Sequence, residues 1–95
     1  GMKDLDGALA DYNKAISLGL KSSAIYFNRG VIFHQKGQLS DAIESYSRSI
    51  EIDPSNARAY YNRAISKLIV DNYKEALQDL EISKRLGYSK AAQYY

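Results

Sequence analysis

The feature of this sequence that most limits its fold is an internal repeat with a period of 34 residues. Residues 23–56 match the residues that follow them when the chain is shifted by one period, and the residues that precede them when it is shifted back. A fixed period of this size that carries one helical hairpin is typical of stacked-repeat proteins. The matched residues are Tyr26 with Tyr60, Asn28 with Asn62, Arg29 with Arg63, Ala42 with Ala8 and Ala76, Tyr46 with Tyr12, Ile50 with Ile16, and Tyr60 with Tyr94.

Apolar stripes at helical spacing, separated by helix-breaking residues, predict five helices. In the first helix the stripe consists of Leu5, Ala8, Leu9, Tyr12, Ala15 and Ile16. We expect the helices to span residues 3–18, 23–36, 40–51, 57–70 and 73–86. The expected N-caps are Asp4, Ser22 or Ser23, and Ser55 or Asn56, and the expected breaks are Gly19, Gly37, Pro54, Asp71-Asn72 and Gly87.

The repeat resembles the tetratricopeptide repeat, a 34-residue helix-turn-helix unit. That family's pattern of aromatic, small and proline positions is filled here by Tyr26, Arg29-Gly30, Phe33, Ala42, Tyr46 and Pro54. The next unit keeps Tyr60, Ala64 and Ala76. It departs from the pattern at Lys67 and Leu80, and at Gly87-Tyr88 where Asp-Pro would stand.

The resemblance implies an all-α fold of antiparallel helix-turn-helix repeats stacked in a right-handed superhelix. We expect one domain over residues 1–95, excised from a longer array of repeats. Residues 3–20 would be the second helix of a partial repeat, 23–56 and 57–90 two full repeats, and 91–95 the start of a further repeat.

The resemblance also implies a binding surface, because in this family the first helix of each repeat lines a concave groove that commonly takes extended peptides. An asparagine lies two residues after the lead aromatic in both repeats, similar to the asparagine ladder of O-linked N-acetylglucosamine transferase. A side-chain amide both donates and accepts hydrogen bonds, so it can bind a peptide backbone. The alternative is that both asparagines only pack between successive first helices. The expected site consists of Phe27, Asn28, Val31, His34, Arg58, Tyr61, Asn62 and Ile65.

Two narrower interpretations concern individual residues. The carboxylate clamp of one tetratricopeptide subclass is incomplete here, since Asn62 stands where that clamp has an arginine. Glu75 and Asp79 lie one helical turn apart, and we interpret them as a solvated helix face rather than an acid/base pair.

Catalysis, cofactors and metals are not expected. The chain has no cysteine, and His34 is its only histidine, so the usual zinc ligand sets cannot form. It contains neither a nucleophile-elbow motif nor a glycine-rich phosphate loop. The formal net charge is +2 without a basic stripe, which argues against nucleic acid, and no apolar run is long enough for a membrane span. We expect a cytoplasmic protein.

These observations predict a non-catalytic module that binds a protein or peptide partner in the concave groove. Two alternatives remain open. The chain could self-associate head to tail through its unpaired ends, with Leu5, Leu9 and Tyr12 at one end and Tyr94-Tyr95 at the other. It could also be an adaptor array attached to a catalytic domain outside this chain.

Overall fold

The computed structural model describes residues 2–93, and the side chains of residues 4–91. Each of the five expected helices is present in that part of the chain, and a short 3-10 helix follows them. Their bounds are α1 Met2–Ser17, α2 Ser23–Gln35, α3 Leu39–Ile52, α4 Ala57–Ile69 and α5 Tyr73–Arg85, with the 3-10 helix at Ser89–Gln93.

The helices stack in chain order, so that the molecule is elongated, 37 × 24 × 19 Å. Helices α2 and α3 form one hairpin, α4 and α5 form the next, and α3 packs on α4 between them. Helix α1 packs on α2 in the place that α3 takes on α4. The prediction of stacked helical hairpins is confirmed. Tyr94 and Tyr95, expected to extend a further repeat, lie outside the described residues.

Two of the expected N-caps form. The Ser22 hydroxyl accepts a hydrogen bond from the Ile25 N–H at 3.1 Å, and the side-chain Oδ1 of Asn56 accepts one from the Ala59 N–H at 3.2 Å. The cap predicted at Asp4 is wrong, because α1 already includes Met2 and Asp4 therefore lies in its first turn. An acidic residue there still favours the helix, since the N-terminal end of the helix dipole is positive.

The turns within the two hairpins use a left-handed residue at the same repeat position. Gly37 has φ of 78°, and Asp71, one period later, has φ of 64°. Positive φ is free of steric cost for glycine and tolerated by aspartate. The two turns therefore have the same backbone geometry despite different residues.

Each hairpin has its own small core. The two sets of buried residues are Phe27, Ala42, Tyr46 and Ala59 around the first hairpin, and Ala64, Ala76, Leu80 and Ala91 in the second. Gly30 lets α2 approach α3, because a Cβ placed on it would lie 2.6 Å from Cε1 of Tyr46. The neighbour at this close approach is therefore a tyrosine ring.

Buried serines join the second helix of each hairpin to the start of the first. The Ser49 hydroxyl donates to the Ser23 carbonyl oxygen at 2.9 Å, and the Ser83 hydroxyl donates to the Ala57 carbonyl oxygen at 2.8 Å. Both serine side chains are fully buried. The two bonds are one period apart, so both repeats contain the same hydrogen bond.

Candidate functional site

A cleft of about 300 Å³ lies between the first helices of the two hairpins. We call it the α2/α4 cleft. Its lining combines aliphatic and aromatic side chains with amides and an imidazole: Val31, His34, Gln35, Tyr46, Tyr61, Asn62 and Ile65. A mainly apolar lining with a few polar groups is the usual composition of a ligand site.

Five of the eight residues expected from the sequence lie together in this cleft, namely Val31, His34, Tyr61, Asn62 and Ile65. The other three lie elsewhere. Phe27 is only 9% exposed and belongs to the core, with the Arg58 guanidinium 5.2 Å from its ring centroid. Asn28 is exposed and does not line the cleft. The two asparagines of the repeat therefore have different environments.

Tyr46, one of the aromatic residues of the repeat pattern, also lines the cleft, although it is not among the site residues expected from the sequence. It comes from α3, beneath the two first helices, and it is 1% exposed. Burial raises the pKa of Tyr46 to about 12, while a hydrogen bond with the Asn62 side chain opposes that rise. Tyr46 and Asn62 thus line the same cleft from two different helices.

His34 is held at the cleft by a second contact between hairpins. Its Nδ1 lies 3.1 Å from the hydroxyl oxygen of Ser66, which is fully buried on α4. The ring thus links α2 to α4 along the wall of the cleft. The opposite wall is braced by Tyr61, whose ring packs edge-on against Tyr88 with centroids 5.0 Å apart.

An ion-pair network lies behind the cleft, between α4 and α5. The Arg63 Nε and Nη2 atoms donate to the two carboxylate oxygens of Asp79, each at 2.8 Å. The Lys67 Nζ lies 3.0 Å from the same carboxylate, and Asp79 is 3% exposed. Our interpretation of Asp79 as part of a solvated face is wrong, because Arg63 and Lys67 compensate the cost of burying its charge. Glu75, its neighbour one turn earlier, is exposed.

A similar network occurs in the preceding hairpin, where Ser45 takes the position of the buried Asp79. Among the described residues, the only carboxylate that pairs with Arg29 is the exposed Glu44, at 3.5 Å. The Arg29 Nε donates to the Ser45 hydroxyl at 3.0 Å, and Nη1 donates to the side-chain Oδ1 of Asn13 at 3.1 Å. Arg63 repeats this arrangement one period later, with Ser47 at 3.1 Å as the counterpart of Asn13. Both arginines therefore join three successive helices and stabilise the stacking on which the cleft depends.

The helices that flank the cleft carry basic residues but no aspartate or glutamate. Arg29, Arg63 and Lys67 are engaged with neighbouring helices, while Arg58 is exposed. Among the residues that the structure describes, no three His, Cys, Asp or Glu side chains are grouped so as to hold a metal ion. None of the helices within residues 2–93 combines the length and apolarity needed to cross a membrane.

Comparisons with known proteins identify this architecture. The family model described as "TPR repeat" matches residues 32–67, from the middle of one hairpin to the middle of the next. A comparison with curated protein sequences finds no match.

Solved structures match nearly the whole chain. The crystal structure of MamA is 26% identical with a TM-score of 0.88, and the match covers 94% of this chain and 53% of MamA. This chain therefore spans about half the length of MamA. The TPR domain of Arabidopsis OM64 is 27% identical with a TM-score of 0.84, and the match covers 90% of this chain and 70% of that domain. The first TPR of Spaghetti (RPAP3), solved with the HSP90 peptide SRMEEVD, is 18% identical with a TM-score of 0.89, and the match covers 97% and 75% of the two chains.

Proposed function

The chain belongs to the tetratricopeptide-repeat (TPR) family, and on that basis we propose that it is a non-catalytic module that binds an extended segment of a partner protein in the α2/α4 cleft. The observation that carries this proposal is the cleft itself. Its lining brings residues from two successive repeats around one concave space. A segment bound there would contact both hairpins at once.

The chemistry of the cleft favours a segment with a large apolar side chain. Val31 and Ile65 come from opposite walls, and the Tyr61 ring adds aromatic surface. An apolar side chain that enters this space is removed from water, at a gain of about 25 cal/mol for each Å² buried. The amides of Gln35 and Asn62 offer hydrogen bonds to the backbone that carries the side chain.

The charge distribution favours an acidic group near that side chain. Neither α2 nor α4 presents a carboxylate that would repel an anion, and the exposed Arg58 lies on α4, the helix that also carries Asn62 and Ile65. A partner charge of opposite sign increases the association rate and suppresses wrong partners more than it adds affinity.

The structural neighbours support the same type of partner. Both TPRs of Spaghetti (RPAP3) were solved with the HSP90 peptide SRMEEVD, with TM-scores of 0.82 and 0.89 to this chain. Their identities of 21% and 18% establish a shared fold, not a shared ligand. They support an extended peptide as the kind of ligand and leave its sequence to be found.

The proposal is tested by screening an array of 15-residue peptides with the wild type and two variants. We expect the wild type to select peptides with an apolar residue next to an acidic one. Asn28→Ala combined with Asn62→Ala should lose these peptides, because the variant lacks the Asn62 amide of the cleft lining. A matched control, Lys74→Ala with Gln78→Ala, changes two exposed residues of α5 and should leave the selection unchanged.

Thermal unfolding followed by circular dichroism shows whether each variant is folded. A second cleft variant, Ile65→Glu, leaves both asparagines in place while putting a carboxylate on the cleft wall. Equal selection by wild type, Ile65→Glu and the double alanine variant contradicts the proposal. A wild type that selects no peptide contradicts it as well.

Self-association is a second candidate, favoured by an apolar surface on α5. Tyr73 and Leu77 are 57% and 47% exposed, whereas Leu39 and Ile43, one period earlier, are half-buried. Light scattering of the same samples over a concentration series separates the two functions, because peptide selection by a monomer requires no second copy. A role as adaptor for a catalytic domain would use the same peptide-binding cleft or the same α5 surface.

A further inference from the structure

His34 and Ser66 form a hydrogen bond between the two helices that flank the α2/α4 cleft. His34 lies on α2 and Ser66 on α4, and 3.1 Å separates the His34 Nδ1 atom from the Ser66 hydroxyl oxygen. The Ser66 side chain is fully buried, whereas His34 is half-buried and lines the cleft. The bond therefore fixes the imidazole ring from behind, on the side where water has no access.

The burial of Ser66 determines which of the two groups donates the proton. A hydroxyl has one O–H donor, and a buried donor left unpaired costs about 1–3 kcal/mol. Among the described residues, the His34 ring is the only hydrogen-bond partner of the Ser66 hydroxyl. The hydroxyl therefore donates to Nδ1, so that Nδ1 carries no proton. In a neutral imidazole the proton then lies on Nε2.

The Nε2 atom of His34 is the ring nitrogen that remains for a ligand. It has no hydrogen-bond partner among the described residues, and within that part of the chain no buried side-chain nitrogen or oxygen is unpaired. Solvent therefore reaches Nε2. Since the cleft is the open space that His34 lines, the Nε2–H is available to a molecule bound there.

A donor in a fixed tautomer makes the cleft selective. The amides of Gln35 and Asn62 both donate and accept, so they adapt to either kind of group. The imidazole Nε2–H only donates, so it stabilises a carbonyl or carboxylate oxygen and leaves an ammonium or amide N–H unpaired. No aspartate or glutamate lies on α2 or α4, so no carboxylate of the two cleft walls competes for this proton.

We propose that His34 is a specificity-determining residue of the cleft, whose Nε2–H binds an oxygen acceptor beside the apolar side chain of the bound segment. Ser66 is a positioning residue, because it acts through His34 and does not itself line the cleft. This inference rests on the proposed function, since it concerns the same cleft. It names the group that the cleft selects, a carbonyl or carboxylate oxygen.

The first test needs no ligand, and the imidazole signals are unambiguous because His34 is the only histidine of the chain. Long-range ¹H–¹⁵N correlation spectra of untagged protein at alkaline pH report which nitrogen of the neutral ring carries the proton. We expect the proton on Nε2, and we expect Ser66→Ala to shift the Nδ1 resonance because the hydrogen bond is lost. A wild type with its proton on Nδ1, or an unchanged Nδ1 resonance in Ser66→Ala, overturns the proposal.

The second test measures the preference of the cleft for an oxygen acceptor. N-acetyl-leucine N-methylamide is compared with its dithio analogue, in which sulfur replaces both carbonyl oxygens and accepts hydrogen bonds more weakly. We expect both probes to shift the backbone resonances of Val31 and Ile65 in the wild type. The oxygen probe should bind about three- to tenfold more tightly, the typical effect of one net hydrogen bond.

The variant for this test is His34→Phe combined with Ser66→Ala, which removes both partners of the bond and leaves no buried hydroxyl unpaired. Its preference for the oxygen probe should disappear. Ser49→Ala is the matched control, since it also removes a buried hydroxyl but one that bonds Ser23, and it should keep the wild-type preference. A histidine that only packs would change the affinity for both probes equally and keep their ratio, and that result overturns the inference.

A third probe, N-acetyl-leucine, separates a carboxylate from a carbonyl as the preferred acceptor. The probe for which the His34→Phe/Ser66→Ala variant loses more affinity carries the preferred group, and a loss for neither overturns the proposal. Failure of the proposed function gives a different result. In that case none of the probes shifts Val31 or Ile65 in the wild type, and the selectivity of His34 is refuted with it. The spectra of the imidazole still show whether Ser66 orients the ring.

Discussion

In the hairpin of α2 and α3, Gly30 lies against the ring of Tyr46, whereas the equivalent positions in the hairpin of α4 and α5 hold Ala64 and Leu80. The glycine provides space for the larger tyrosine side chain, and the alanine fills the space that the smaller leucine leaves. Interiors are packed as densely as organic crystals, so a change of volume on one helix requires an opposite change on its neighbour. The two hairpins thus fill the same space with differently sized pairs.

A second pair of positions shows the same compensation in charge. Phe33 and Ser45 in the first hairpin correspond to Lys67 and Asp79 in the second, where they form a buried ion pair. Arginine occupies the neighbouring position in both, as Arg29 and Arg63. A lysine in place of an aromatic would bury an unpaired charge, and the aspartate removes that cost. At these positions, the residues that differ between the two hairpins differ as pairs of residues in contact.

The largest expected effect comes from breaking the charged pair. Asp79→Ala leaves Arg63 and Lys67 without their shared carboxylate, and we expect the free energy of unfolding to fall by about 3 kcal/mol. Ser45→Ala at the equivalent position removes one hydrogen bond to Arg29 and should cost about 1 kcal/mol. Urea denaturation of the two variants measures the difference.

The matched control replaces the charged pair of the second hairpin with the uncharged pair found in the first. Lys67→Phe combined with Asp79→Ser reproduces the residue types of Phe33 and Ser45, and it should restore most of the stability that Asp79→Ala loses. If Asp79→Ala costs no more than Ser45→Ala, the ion pair does not stabilise the second hairpin in the way the comparison requires.

The next effect is a loss of stability at alkaline pH from the ionisation of Tyr46, whose equivalent in the second hairpin, Leu80, has no titratable group. Burial raises the pKa of Tyr46 from 10.0 to about 12. A raised pKa means that the folded state holds the proton more tightly than the unfolded state. The stabilisation is complete below pH 10 and is lost as the pH rises toward 12, to a total of about 3 kcal/mol.

Urea denaturation at several pH values from 9 to 12 checks this loss against variants. Tyr46→Phe should show a shallower decrease in stability than the wild type. Tyr73→Phe is the comparison, because Tyr73 is exposed and its pKa is raised chiefly by its hydrogen bond to Asp71, so this variant should change the decrease less than Tyr46→Phe does. Parallel curves for wild type and Tyr46→Phe would contradict the assignment.

The smallest expected effect concerns volume. Gly30→Ala places a Cβ 2.6 Å from Cε1 of Tyr46, and the strain should exceed the gain in helix propensity. We expect a net loss of about 1 kcal/mol in the free energy of unfolding. In the background Tyr46→Leu, which supplies the leucine of the second hairpin, Gly30→Ala should become neutral or stabilising. A double-mutant cycle measures this coupling, and the same penalty in both backgrounds would refute it.

The sequence pattern identified most of the cleft because its residues follow helical spacing on two matched helices. Val31, His34, Tyr61, Asn62 and Ile65 were all predicted from their place after the lead aromatic. Phe27 was placed with them, but the structure puts it in the core, where Arg58 covers its ring. A helical face is about a third of the circumference, and spacing alone does not separate its edge from its centre.

The place of Tyr46 in the cleft and the burial of Asp79 could not be predicted from single sequence positions. An aromatic residue at this pattern position predicts packing, and the pattern carries no sign that Tyr46 also lines the cleft. Asp79 looked solvated because a carboxylate one turn from Glu75 is usually on a wet face. The sequence spacing could have indicated both neighbours. Asn62 lies 16 residues after Tyr46 and Asp79 lies 16 residues after Arg63, a separation that places two residues on adjacent helices of this repeat.

By itself, the sequence determined the helices, their turns and their stacked order, because these depend on local spacing, on glycine and proline, and on a period that repeats. The tertiary structure alone decided which of two equivalent asparagines lines the cleft and which charges are buried together. Those properties depend on the distances between side chains of different helices. The repeat gives the backbones of successive hairpins the same spacing. The volume and charge of the contacting side chains differ from one hairpin to the next.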